Sequence, residues 1–107
     1  MKVKLNTELK DLEGKVMLFA VSTTEKEAVN ATLGRMMIES LLATFKDEEN
    51  LSGDEKLKRW QLAIKIKNAD VMVELTVEEV ALVKKLIGKA YSTLIVGQVW
   101  ELLEGVE

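Results

Sequence analysis

The sequence predicts an α+β domain in which an N-terminal β-hairpin, with a short strand near 71–75 that could join it, packs on about four α-helices. Two early apolar runs, Val3 to Leu9 and Lys15 to Val21, flank a polar connection carrying Gly14, as a hairpin requires. Further on, Ser52 to Glu55 and Thr76 to Glu79 have the serine or threonine to glutamate spacing of a helix-capping box. The 107 residues are 48% apolar and 31% charged, which suits one core and one solvated shell, so residues 1–107 are expected to form a single domain. A chain of this size buries roughly two-thirds of its unfolded surface.

Proline is absent, so six glycines and the helix caps must punctuate the chain. Within the hairpin, Val16-Met17-Leu18-Phe19-Ala20-Val21 is continuously apolar. The polar stretch from Ser22 to Ala31 offers Thr23, Thr24 and Asn30 as caps for a helix running from Leu33 to Phe45. On that helix Leu33, Met37, Leu41, Phe45, Ile38 and Leu42 share one side, which leaves Met36 on the polar side and predicts it to be exposed. A second helix starts at Ser52 and ends near Asn68, with Leu57, Trp60, Ala63 and Ile64 on its main apolar face and Leu62 with Ile66 on a smaller second stripe. The β-branched run Val71-Met72-Val73-Glu74-Leu75 reads as a brief strand. Thr76 opens a third helix through Val80, Val83, Leu86 and Ile87, with Gly88 as its expected stop. A last helix, from Thr93 to about Leu103, carries so many apolar residues that it is expected at the centre of the core, with Tyr91 closing the turn before it.

The residue inventory excludes much chemistry. Without cysteine there is no disulfide, thiolate nucleophile or cysteine-bound metal, and without histidine the usual general base and metal ligand are missing. The adjacent carboxylates Glu48/Glu49 and Glu78/Glu79 are read as solvated or capping groups. The loop from Glu48 approaches a calcium-binding register, with Gly53 in the sixth place, but Arg59 then occupies the position of the bidentate glutamate. Gly88-Lys89 lacks the glycine and hydroxyl spacing of a phosphate loop. No enzyme activity and no cofactor are therefore expected.

The composition also bears on location and partners. No run of apolar residues reaches the ~20 needed to cross a bilayer, and neither a signal peptide nor oxidative staples appear, so a cytoplasmic protein without membrane contact is expected. The net charge of −3 provides no global field for a phosphate backbone and disfavours nucleic acid. A helix-turn-helix built from the last two helices fails because Thr93 to Trp100 contains no lysine or arginine. Protein binding or self-association remains, with Trp60, Leu62, Ile66 and Met36 as its candidate residues, because tryptophan anchors interfaces and methionine adapts to them. The alternative is a small nucleic-acid-binding regulator using Lys56, Lys58, Arg59 and Lys65 of the second helix.

Four segments follow one another along the chain: Leu9-Lys10-Asp11-Leu12-Glu13-Gly14-Lys15, Thr32-Leu33-Gly34-Arg35 with Leu41-Leu42-Ala43, Glu55-Lys56-Leu57-Lys58-Arg59-Trp60, and Leu75-Thr76-Val77-Glu78-Glu79. Their order resembles that of small uncharacterised proteins of tailed phages and prophages. The resemblance implies a phage-encoded accessory protein acting inside a bacterial host, in particle assembly or in control of a host or phage factor. It transfers no functional residues.

Overall fold

The computed structural model describes residues 1–19 and 29–104. The elements run β1 (Lys2–Lys4), β2 (Leu18–Phe19), β3 (Val29–Asn30), α1 (Leu33–Leu42), a 3-10 turn (Lys46–Glu48), α2 (Gly53–Asn68), β4 (Met72–Glu74), α3 (Val77–Ala90) and α4 (Thr93–Glu104). The fold is α+β, with the N-terminal antiparallel hairpin and four α-helices that the sequence predicts.

Asp11 builds the hairpin turn: its carboxylate accepts the backbone N–H groups of Glu13 and Lys15 at 2.9 and 3.0 Å. Gly14 takes φ 87°, a left-handed conformation open to glycine. Lys10 then faces Val16, and the Met17 N–H donates to the Leu9 carbonyl at 2.9 Å. Beyond this turn β2 pairs antiparallel with β3. Ala20 and Val21, expected in the second strand, and the cap candidates Thr23 and Thr24 lie outside the described residues. Asn30 lies in β3, and Thr32 caps α1 instead, its hydroxyl accepting from the Arg35 N–H at 3.3 Å.

The short strand near 71–75 forms and pairs with the start of the chain. β4 runs antiparallel to β1, Val3 opposite Val73, and both valines are buried while Lys2, Lys4, Met72 and Glu74 face outward. After β1 the chain settles on the first turn of α1, where the Gly34 N–H donates to the Leu5 carbonyl at 2.9 Å. A Cβ at Gly34 would stand 3.0 Å from the Leu5 Cβ and 3.2 Å from its carbonyl oxygen, so the absence of a side chain permits this approach.

α1 lies against α2 and α3, and α4 lies against α3. The core joins Val3, Leu5 and Leu9 from the hairpin region to Leu33, Met36, Met37 and Leu41 of α1, Ile66 of α2, Leu75, and Val83, Leu86 and Ile87 of α3. The expected exposure of Met36 is therefore incorrect: it is fully buried. The buried side of α1 is turned toward Met36 and Ser40 because Gly34 is small and because the Ser40 hydroxyl donates to the Met37 carbonyl at 2.8 Å, which satisfies it inside the core. Hydropathy counts neither residue as core-facing.

The capping box at Thr76 forms in both directions, 3.1 Å from the Glu79 N–H to the Thr76 hydroxyl and 2.8 Å from the Thr76 N–H to the Glu79 carboxylate. α3 passes through Gly88 and ends at Ala90. Gly88 therefore does not end the helix; it lies beside the Trp100 ring, where a Cβ would make an ordinary contact at 3.4 Å. α4 is peripheral, not central: only Val99 and Leu103 are buried in it, and Trp100 is 37% exposed. One neighbouring helix covers one side, whereas the apolar composition suggests enclosure on all sides. Among the described residues no helix is long and apolar enough to cross a membrane.

Gly34→Ala tests the seat of α1. The gain in helix propensity, about 1 kcal/mol, opposes an overpacking cost of about 1–3 kcal/mol against a backbone that cannot swing aside, so a net loss is expected. A lowered urea midpoint is the expected measurement.

Candidate functional site

α2 is set by Ser52, whose hydroxyl accepts the Glu55 N–H at 3.1 Å, and by acidic residues in its first turn with lysines in its last, both favourable to the helix dipole. The helix then turns a different side inward from the one its hydropathy suggests. Arg59, Leu62, Ala63 and Ile66 face the core. Leu57 and Trp60 are exposed and Ile64 is half-buried, so these three residues form an outward apolar stripe at helical spacing.

Two of the predicted partner-binding residues are thus corrected, because Leu62 and Ile66 are buried in the core, 5% and 1% exposed. Met36 is removed from the surface for the same reason. Trp60 remains, 55% exposed. Its indole has no hydrogen bond or cation–π partner among the described residues. Trp100 is different: its N–H donates to the Lys84 carbonyl at 3.1 Å, and the Lys84 ammonium sits 4.6 Å from its ring centroid.

The inward turn of α2 follows from Arg59. Its guanidinium forms a bidentate pair with the Glu48 carboxylate at 2.7 and 2.8 Å, with the side chains only 5% and 11% exposed. Lys89 of α3 completes the cluster, 3.0 Å from Glu48 and 3.2 Å from Asp47, and its ammonium lies 4.7 Å from the Phe45 ring centroid. The 3-10 turn is thereby held to α2 and α3 at once. Hydrogen bonds from Arg59, aided by Lys89 and opposed by burial, hold the Glu48 carboxyl at about 2.

Beside this cluster opens a cleft of roughly 560 Å³ between the end of α1, the 3-10 turn and the first half of α2. Leu42, Phe45, Leu51 and Trp60 give it apolar walls, Lys46, Glu49 and Lys56 stand among its polar residues, and the Glu48–Arg59 pair lines it. The signal that sequence reading missed was Glu48: the calcium register that placed Arg59 against it had already brought the two residues together, as a salt bridge instead of a coordination sphere.

The proposed basic surface is also altered. Arg59 is buried in its ion pair and unavailable to phosphate, a correction to its reading as a surface cation. Lys65 pairs with Glu79 at 3.1 Å and Lys58 with Glu55 at 3.7 Å, which leaves Lys56 without an ion pair among the described residues. No family model, curated protein or solved structure matches the chain.

Glu48→Gln leaves Arg59 buried without its counter-charge and is expected to cost about 3 kcal/mol at neutral pH. The sign of the pH dependence follows from the lowered pKa, from 4.5 to about 2. The folded state binds this proton less readily than the unfolded chain, so the contribution is complete above about 4.5 and is lost as pH falls toward about 2. Urea midpoints of wild type and variant should therefore converge as pH is lowered through that window.

Proposed function

We propose that the chain is a non-enzymatic protein-binding accessory protein that engages its partner through Trp60 and the cleft beside it. The observation that carries this reading is a solvent-exposed tryptophan, with no polar partner of its own, at the wall of a cleft lined by Leu42, Phe45 and Leu51. A partner segment laid there would bury the indole, Leu42 and the adjoining Leu57/Ile64 stripe together. The residue inventory, without histidine or cysteine, supports a role by occupancy instead of catalysis. The resemblance to small phage and prophage proteins directs the search to a partner within a bacterial host, either a host factor or a component of the phage particle.

Three variants test the reading. Trp60→Glu is expected to cost no more than about 3 kcal/mol, because the side chain is already 55% exposed, and to abolish partner capture. Trp100→Phe should retain capture, and Ile66→Lys should unfold the protein, as a charge placed in the core must. The measurements are urea titration, affinity capture from a bacterial lysate, and light scattering over a concentration series. If no captured protein and no self-association depends on Trp60, the proposal fails.

A further inference from the structure

We propose that the occupant of this cleft is an acidic amphipathic segment of a partner protein, seating a large apolar side chain between Leu42, Phe45, Leu51 and Trp60 and a carboxylate against Lys46 and Lys56. The inference rests on the reading of the cleft as the binding site and names the chemistry of what enters it.

The argument is a balance of charges. Five charged residues line the cleft: Lys46, Glu48, Glu49, Lys56 and Arg59. Glu48 and Arg59 cancel each other in their bidentate pair. Of the other three, none has an ion pair among the described residues, and two are cations against the single anion Glu49. Among the charged side chains not paired within the described residues, the lining therefore holds two cations to one anion, around walls that are apolar.

A basic segment would bring like charges to Lys46 and Lys56, and a wholly apolar one would strip water from these lysines without replacing it, so both are disfavoured. A segment combining Leu, Phe or Trp with Asp or Glu meets both features of the lining. The acidity of the whole chain, −3, does not oppose this. At physiological salt, charges act over a screening length of about 8 Å, so the charges lining the cleft weigh more there than the total of the chain.

Short random peptides displayed on a carrier can be panned against the full chain, against Trp60→Glu, and against the double variant Lys46→Glu with Lys56→Glu. The substituted side chains are exposed, and circular dichroism checks that each variant folds. The wild type is expected to select peptides enriched in both large apolar and acidic residues. Charge reversal should weaken the best of them by about tenfold or more and favour its Asp/Glu→Lys counterpart, as measured by fluorescence polarisation. Peptides that depend on Trp60 but show no acidic enrichment, and bind the reversed variant equally well, would overturn the acidic occupant while leaving the cleft as the site. Failure to recover any Trp60-dependent peptide would overturn the site and the occupant together.

Discussion

An arginine that enters a protein interior must take a counter-charge with it, because an unpaired buried guanidinium costs several kcal/mol. In this chain Arg59 occupies the centre of the inward side of α2, and Glu48 meets it from the 3-10 turn with both carboxylate oxygens. That pairing fixes the rotation of α2 about its axis. Leu62, Ala63 and Ile66 follow Arg59 inward, and Leu57 with Trp60 is left outside. Lys89 extends the constraint to α3, and its contact with the Phe45 ring positions one wall of the cleft. The same cluster that fixes the packing of the helices thus shapes the surface proposed to bind a partner.

The ends of the elements were more legible in the sequence than their faces. Capping depends on residues three positions apart and could be read locally: the box of Thr76 with Glu79 forms in both directions, and at Ser52 the hydroxyl half of the box forms. The turn at Asp11 to Gly14 and the strand around Val73 were legible for the same reason. Faces depend on what approaches from elsewhere. Glu48 neutralises Arg59, Ser40 closes its own hydrogen bond, and Gly34 admits Leu5, and each makes a nominally polar position suitable for the core. Hydropathy periodicity assigns all three outward. Of the four residues offered for protein binding, Trp60 alone is exposed, because the other apolar residues of α2 are displaced inward and not because of its own spacing.

The pairing of β1 with β4 shows a similar dependence on distant partners. Val3 and Val73 are far apart in sequence and adjacent in the sheet, while the hairpin beside them closes through local bonds. Residue Leu5 links the two arrangements. Its N–H donates to the Val71 carbonyl at 2.7 Å and its own carbonyl receives the Gly34 N–H, so the strand pair, the connection from α2 and the first turn of α1 share one backbone junction. The α1–α2 groove is anchored at this end by backbone bonds and at the other by the Glu48 cluster.

The two tryptophans show how such a frame distinguishes structural from surplus surface. The fold finishes Trp100 on several sides: a carbonyl for its N–H, an ammonium over its ring, and a glycine beneath it. Each contact offsets part of the cost of ordering a large side chain. Trp60 receives none of these, although it stands one residue from the most heavily paired side chain in α2. Rotating it inward would require Arg59 to leave Glu48, an exchange in which one apolar burial would be gained at the cost of a guanidinium without its carboxylate and a Glu48 left to Lys89 alone. The ion pair therefore enforces the exposure of Trp60. On the proposed reading, the energetic return on that exposure comes when a partner covers the indole, a step that leaves the Glu48–Arg59 pair intact and requires no rearrangement of the core.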